Sequence, residues 1–339
     1  MKTNKKRRFW TVLCIILGVI LALLLALTVA VNAILNKIPR YDPVEETISE
    51  EEIQQIVEET DPPEMIEGLE EVLLDDLVMP SEPALVIEET DHIYNILLIG
   101  QDRRPGEPKQ RSDAMILCTV NTEKKTLVMT SFLRDTYVPI PDFGGYSNYS
   151  NRLNVCYAVG GMELLDDAMM MNFGVDVDHN IEVDFSGFEN VVNVLGGIDI
   201  YLTAAEASHL GGGLKEGMNH LDGTQALAYS RIRVLDSDFG RTNRQRNVLI
   251  AMFESIRHMN LTQISNLVNA VFPMVTTDMT NEEILKYTVE FFPLLSELQI
   301  TTQRVPTGDT YYSAMIYGMA VLVPDLEANR EFLRETLGE

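Results

Sequence analysis

Residues 93–339 predict a single α/β domain, a central mixed β-sheet flanked by helices on both faces. Three observations carry that expectation. Short apolar runs alternate with longer segments of helical period along the whole stretch. The stretch is about 250 residues long, enough to bury one large core. Three cysteines in 339 residues cannot make a disulfide scaffold, so packing must supply the stability.

The elements follow in order. Tyr94–Ile99 is an apolar run closed by Gly100, the pattern of a buried strand. Ala114–Val120 and Thr126–Phe132 are further strands, joined by the polar turn Asn121–Lys125. Asn151–Phe173 is helical with an interruption at Gly160–Gly161. Ile181–Phe185 alternates as a strand does, Phe188–Leu195 is a helix stopped by Gly196–Gly197, and Ile198–Leu202 is a strand. Asp222 is an N-cap for a helix running to Tyr229. Arg241–His258 is a long amphipathic helix, Leu261–Met274 and Asn281–Leu298 are helices, and Ile300–Val305 is a strand. Asp325–Leu337 closes the chain as a helix behind Pro324.

Charge divides the rest. The chain has 26 Lys+Arg against 51 Asp+Glu, a net charge of −25. Residues 1–40 hold seven basic residues and no acidic one, whereas 41–92 hold nineteen acidic residues and no Lys or Arg. A chain so acidic makes a poor duplex-DNA binder, so no nucleic acid partner is expected. Five cations in residues 1–8 precede the uncharged run Phe9–Asn36, whose centre is long enough to cross a bilayer. Its length exceeds the apolar core of a cleaved signal peptide, although Ala33 is a weak cleavage signal. The reading is a cytoplasmic stub (1–8), a retained single-pass anchor (9–35), an extended acidic stalk (36–92) and an extracytoplasmic domain (93–339) in the cell membrane. No CxxC and no histidine cluster with metal spacing occur, which argues against zinc and thiol catalysis. Cys118 and Cys156 lie in apolar segments, where buried free thiols are the simpler reading and a bridge stays open.

The arginines carry the chemistry. Residues 93–339 contain fourteen Arg and only five Lys, and nine of those Arg fall in three short segments. These are Gly100 to Arg104 with Arg111 to Asp113, then Phe132 to Thr136, then Arg231 to Arg246. The first two sit at strand ends, where α/β sheets place ligands. Arginine binds phosphate bidentately and keeps its charge, which suits pyrophosphate. Asp102 and Asp113 end one strand and begin the next, so antiparallel pairing brings them close. Two carboxylates beside such arginines suit Mg²⁺ or Mn²⁺, which takes oxygen ligands together with substrate phosphate. The alternative is a set of Arg–Asp surface ion pairs. Arg241 and Arg244 share a helix face, whereas Arg246 points mostly away from Arg241. Arg231 and Arg233 share a face only on an extended segment, so if both touch phosphate the helix after Asp222 must end near Ser230.

The segments NILLIGQDRR, RSDAMIL, SFLRDTYVPIP, NRLNVCYAVGG, VDFSGFENVVNVLGGIDI, GMNHLDGTQALAYSRIR and DSDFGRTNRQR stand in order between about residues 94 and 250. Together they resemble the LytR-CpsA-Psr family of cell-wall enzymes. The resemblance implies a transferase. Its donor would be a polyprenyl-pyrophosphate-linked glycopolymer such as teichoic acid or capsule, and its acceptor peptidoglycan. It also implies roles. Asp102 and Asp113 match the metal-binding aspartates, and Arg104, Arg111, Arg134, Arg231, Arg233, Arg241 and Arg244 match the arginines around the pyrophosphate. Asp238 is a candidate base or arginine-orienting residue, and with Asp102, Asp113 and Arg134 completes the catalytic set. A lipid tail needs an apolar slot, for which Val155, Phe173, Val183, Phe185, Phe188, Val191, Val192 and Leu195 are candidates, with ordinary core the alternative for each. Competing functions are a non-catalytic lipid-pyrophosphate carrier or wall-regulatory protein and a simple pyrophosphatase.

Overall fold

The computed structural model describes residues 31–43, 92–101, 112–143, 149–235 and 238–338. The expected anchor (9–35) lies outside the described residues up to residue 30, as does most of the expected acidic stalk. Among those described, no helix is long and apolar enough to cross a membrane.

Twelve strands are described: β1 Ile93–Gln101, β2 Ser112–Asn121, β3 Thr126–Phe132, β4 Tyr137–Ile140, β5 Tyr149–Arg152, β6 His179–Asp184, β7 Ile198–Leu202, β8 Gly217–Leu221, β9 Val275–Thr277, β10 Gln299–Val305, β11 Tyr311–Ile316 and β12 Met319–Pro324. The helices are α1 Asn154–Phe173, α2 Phe185–Leu195, α3 Ala204–Leu210, α4 Gly223–Ser230, α5 Asp238–Arg257, α6 Leu261–Val271, α7 Asn281–Phe291 and α8 Leu326–Leu337. Six strands form the central sheet in the order β10-β3-β2-β1-β6-β9. The pairs β1–β6 and β3–β10 are parallel and the remaining three antiparallel. The expected mixed sheet is therefore present.

Side-chain alternation along each strand sends alternate residues to opposite faces. Leu97, Ile99, Met115, Leu117 and Phe132 pack beneath α1 and α8. Tyr94, Ile116, Leu127 and Met129 meet α5 and α7 on the other face. A third cluster joins α2, the β7–β8 hairpin, α4 and α5. Cys118 and Cys156 belong to clusters on opposite faces, and both are free thiols, so the open question of a bridge closes. Burial pushes each thiol up to about 12, which leaves it protonated and inert at neutral pH.

The interruption expected at Gly160–Gly161 is real: Gly161 adopts φ 71° and ψ −150° inside α1, a conformation open to glycine alone. Other boundaries moved. α5 begins at Asp238 rather than Arg241, and α7 stops at Phe291 rather than Leu298. Pro293 follows in a short 3-10 turn, where its ring cannot continue the α-helix.

Residues 36–43, assigned to the head of an extended stalk, are docked on the domain. Leu35 and Ile38 are buried. Arg40 bridges to Thr277, and the Tyr41 amide donates to the Thr277 carbonyl at 2.9 Å. The Tyr41 hydroxyl donates to Glu163 and accepts from the Met162 amide at 3.1 Å, directly after the kink at Gly161. A freely extended spacer would leave Ile38 in water. Replacing Ile38 by alanine should cost about 2–5 kcal/mol, as truncation of a buried aliphatic does. Chemical denaturation of Ile38→Ala checks this, and an undocked segment would leave the midpoint unchanged.

Candidate functional site

The C-terminal ends of β1, β3, β6 and β10 and the N-terminal end of β2 lie at one edge of the sheet. Parallel pairing of β1 with β6 and β3 with β10 forces that coincidence, and open α/β sheets bind ligands there. The pairing of β1 with β2 slips at this end: Gly100 faces Ala114, and Gln101 faces Ser112. Asp113 is the extra residue of this β-bulge, a device that re-aims a side chain beside a site.

Asp113 meets Arg134, which follows β3. Arg134 Nη1 donates to Asp113 Oδ1 at 2.7 Å, while its Nε lies 3.4 Å from Asp135 Oδ2. Asp135 Oδ1 in turn accepts from Arg152 Nη1 at 3.1 Å. The result is a chain of alternating charge, Asp113–Arg134–Asp135–Arg152, partly sheltered from water. Asp135 and Arg152 were not singled out from sequence. Arg152 reaches the site because β4 and β5 form a hairpin that sets it opposite Tyr137, a long-range pairing that local pattern does not show.

The third arginine segment divides by burial. α4 begins behind the N-cap Asp222 and ends at Ser230, as required if Arg231 and Arg233 are to leave the helix. Both are exposed, and the Arg231 guanidinium lies 4.4 Å from the centre of the Phe185 ring at the end of β6. Arg241, Arg244 and Arg246 are buried. Arg244 Nε donates to Glu206 Oε1 at 2.7 Å and its Nη1 to the Ile232 carbonyl at 3.0 Å. Arg244 therefore pins the Arg231–Arg233 loop and ties α5 to α3. This placement makes it a positioning residue, where the resemblance implied a phosphate contact. Its partner Glu206 also completes the capping box of α3 with Thr203. Asp102, Arg104 and Arg111 lie outside the described residues, as does the side chain of Asp238.

The candidate lipid-slot residues do not converge. Val155 and Phe173 belong to the cluster under α1, whereas Phe188, Val192 and Leu195 belong to the cluster between α2, α4 and α5. Val191 is buried, and Val183 and Phe185 are half-buried near the end of β6. An apolar pocket beside the β4–β5 hairpin is lined by Ile140, Phe143, Tyr149, Val155, Val159 and Leu164 among others; Val155 alone of the eight candidates lines it.

Paired carboxylates and arginines at the strand ends of an α/β sheet, with Arg231 and Arg233 exposed, make an arrangement that suits an anionic ligand. Solved structures share the fold. "TagT bound to LIIa-WTA" superposes with a TM-score of 0.60 at 26% identity, covering 77% of this chain and 97% of that one. The crystal structure of B. subtilis TagT gives 0.59 at 26% identity, covering 78% and 99%. The LytR_cpsA_psr family model matches residues 68–334, and the chain belongs to that family. A polyisoprenyl-teichoic acid–peptidoglycan teichoic acid transferase TagU of Bacillus licheniformis is 34% identical over 194 residues, 56% of this chain and 61% of that protein. The same-named protein of Enterococcus faecalis is 32% identical over 205 residues, 58% and 65%. The chain thus spans about three fifths of the length of these curated relatives.

The Glu206–Arg244 pair has a measurable signature. Burial pushes the Glu206 carboxyl up, but hydrogen bonds from Thr203 and Arg244 outweigh it and hold the group below its usual range. A carboxylate so lowered contributes stability above its unfolded pKa and loses it as pH falls through the folded one. Arg244→Ala, which strands a buried charge, should cost about 3–5 kcal/mol at neutral pH. The deficit against wild type should shrink as pH falls below about 4. Melting curves of both proteins from pH 7 to 3 check it.

Proposed function

We propose that the chain transfers a phosphate-terminated glycopolymer from a polyprenyl-pyrophosphate carrier to peptidoglycan. The observation that carries the reading is Arg134, held between Asp113 and Asp135 at the strand ends with Arg231 and Arg233 exposed on the α4–α5 loop. The names of the relatives support the teichoic acid and peptidoglycan parts.

In the proposed step a sugar hydroxyl of peptidoglycan attacks the phosphorus that carries the polymer. A new P–O bond forms, the bond to the bridging oxygen breaks, and polyprenyl phosphate leaves with that oxygen. The hydroxyl proton passes to a base, for which Asp238 is the candidate. Arg134, Arg231 and Arg233 neutralise the phosphate oxygens and orient the chain in line, the main requirements of phosphoryl transfer. Arg104, Arg111 and Arg241 join this set by the family resemblance. Among the described residues no group of three or more His, Cys, Asp or Glu stands ready to hold a metal. Asp113 offers oxygen donors of the kind Mg²⁺ or Mn²⁺ takes, and Asp102 with substrate oxygens would complete its shell. Such an ion supplies charge neutralisation at the breaking phosphoanhydride. In this reading the uncharged run that begins at Phe9 anchors the protein in the cell membrane, ending before Leu35, which is buried with the docked segment, and the catalytic domain lies outside.

The test incubates full-length protein with labelled lipid-linked polymer, peptidoglycan oligomers and Mn²⁺. Covalent polymer–peptidoglycan product is expected, falling at least about 100-fold in Asp113→Ala, on the scale of lost electrostatic catalysis. Free phosphorylated polymer would indicate a pyrophosphatase, and no turnover a carrier; either outcome overturns the proposal.

A further inference from the structure

The sheet face opposite α1 carries a second concentration of positive charge. On α5 the residues Phe239, Thr242, Arg246, Leu249 and Phe253 recur at helical spacing along one stripe. Leu249 and Phe253 pack against the sheet, so Arg246 on the same stripe points inward as well. Arg246 is 7% exposed, and its Nη1 is buried with no hydrogen-bond partner. Its other terminal nitrogen donates to Asn243. On the sheet, Ser131 of β3 pairs with Arg304 of β10 in parallel register. Ser131 shares the parity of Leu127 and Met129, which point toward α5 and α7. It is 1% exposed, and its Oγ is buried with no partner. The Arg304 guanidinium lies 4.2 Å from the centre of the Phe239 ring in the first turn of α5. Stacking fixes its plane and leaves its N–H edge open to a ligand.

Arg246 and Arg304 lie close enough to repel each other, and neither has a carboxylate partner among the described residues. Burial pushes Arg246 down to about 10, and Arg304 adds to the shift. A buried cation without a counter-charge is costly, and a tetrahedral oxyanion would remove that cost. We infer that Arg246, Arg304 and Ser131 form a phosphate-binding pocket under the first turns of α5, separate from the Asp113–Arg134 pair. Two guanidinium forks and a hydroxyl match a phosphate group. The pocket stands whether or not the transferase reading holds.

Inorganic phosphate titrated into the full-length chain at constant ionic strength tests it, by calorimetry and by melting temperature. Wild type should bind phosphate and melt higher in its presence. Arg304→Gln should weaken binding at this pocket at least about tenfold, the loss of one charge-assisted contact, and reduce the thermal shift. Arg246→Gln should do the same without melting below wild type in phosphate-free buffer, because it removes an uncompensated charge. Arg134→Gln should keep the shift. Competition by a glycerol-phosphate oligomer would assign the pocket to a polymer phosphodiester, and binding of inorganic phosphate without competition to the free ion. Equal phosphate stabilisation of wild type and Arg304→Gln, no stabilisation of wild type, or loss of the effect in Arg134→Gln alone would overturn the pocket.

Discussion

Arg134 is shared between Asp113 and Asp135, and that sharing sets the electrostatics of the whole sheet edge. Like charges gathered within a few ångströms repel strongly once partly withdrawn from water. The structure answers by pairing three of the sheltered arginines, Arg134, Arg152 and Arg244. Asp113 and Asp135 balance Arg134 and Arg152, and Glu206 balances Arg244. Arg231 and Arg233 remain exposed on a loop whose backbone Arg244 holds through the Ile232 carbonyl. Arg152 and Arg244 thus build the frame, while Arg231 and Arg233 are open to solvent. A phosphate entering there meets positive charge already held in place, with little side-chain entropy left to lose.

Backbone register makes the arrangement possible. Parallel pairing brings the ends of β1, β6, β3 and β10 to one side, and the bulge at Asp113 turns a carboxylate out of the pleat toward Arg134. At residues 35–41 the chain docks on β9 and on the kink of α1 before it continues into the acidic tract.

Much of this was legible in the amino-acid sequence where the cause is local. The apolar run before Gly100 marked β1, the glycine pair marked the kink in α1, and Asp222 with the spacing of Arg231 and Arg233 marked both ends of α4. What stayed hidden depends on distant pairing. Arg152 enters through the β4–β5 hairpin, and Glu206 meets Arg244 across 38 positions. Arg246, weighted lower because of its spacing from Arg241, is buried rather than turned to water. The apolar candidates for a lipid slot divide between two clusters because apolar character marks burial without saying which face is buried.

The central claim is that the exposed arginines of the α4–α5 loop grip a pyrophosphate. Equilibrium binding of a polyprenyl-pyrophosphate-linked sugar to full-length protein tests it most directly, with wild type compared against the Arg231→Lys, Arg233→Lys double variant. Lysine keeps the charge but lacks the planar fork. The account predicts a loss of affinity of at least about tenfold, one charge-assisted hydrogen bond or more, at an unchanged melting temperature. Equal affinity in the two proteins would contradict it.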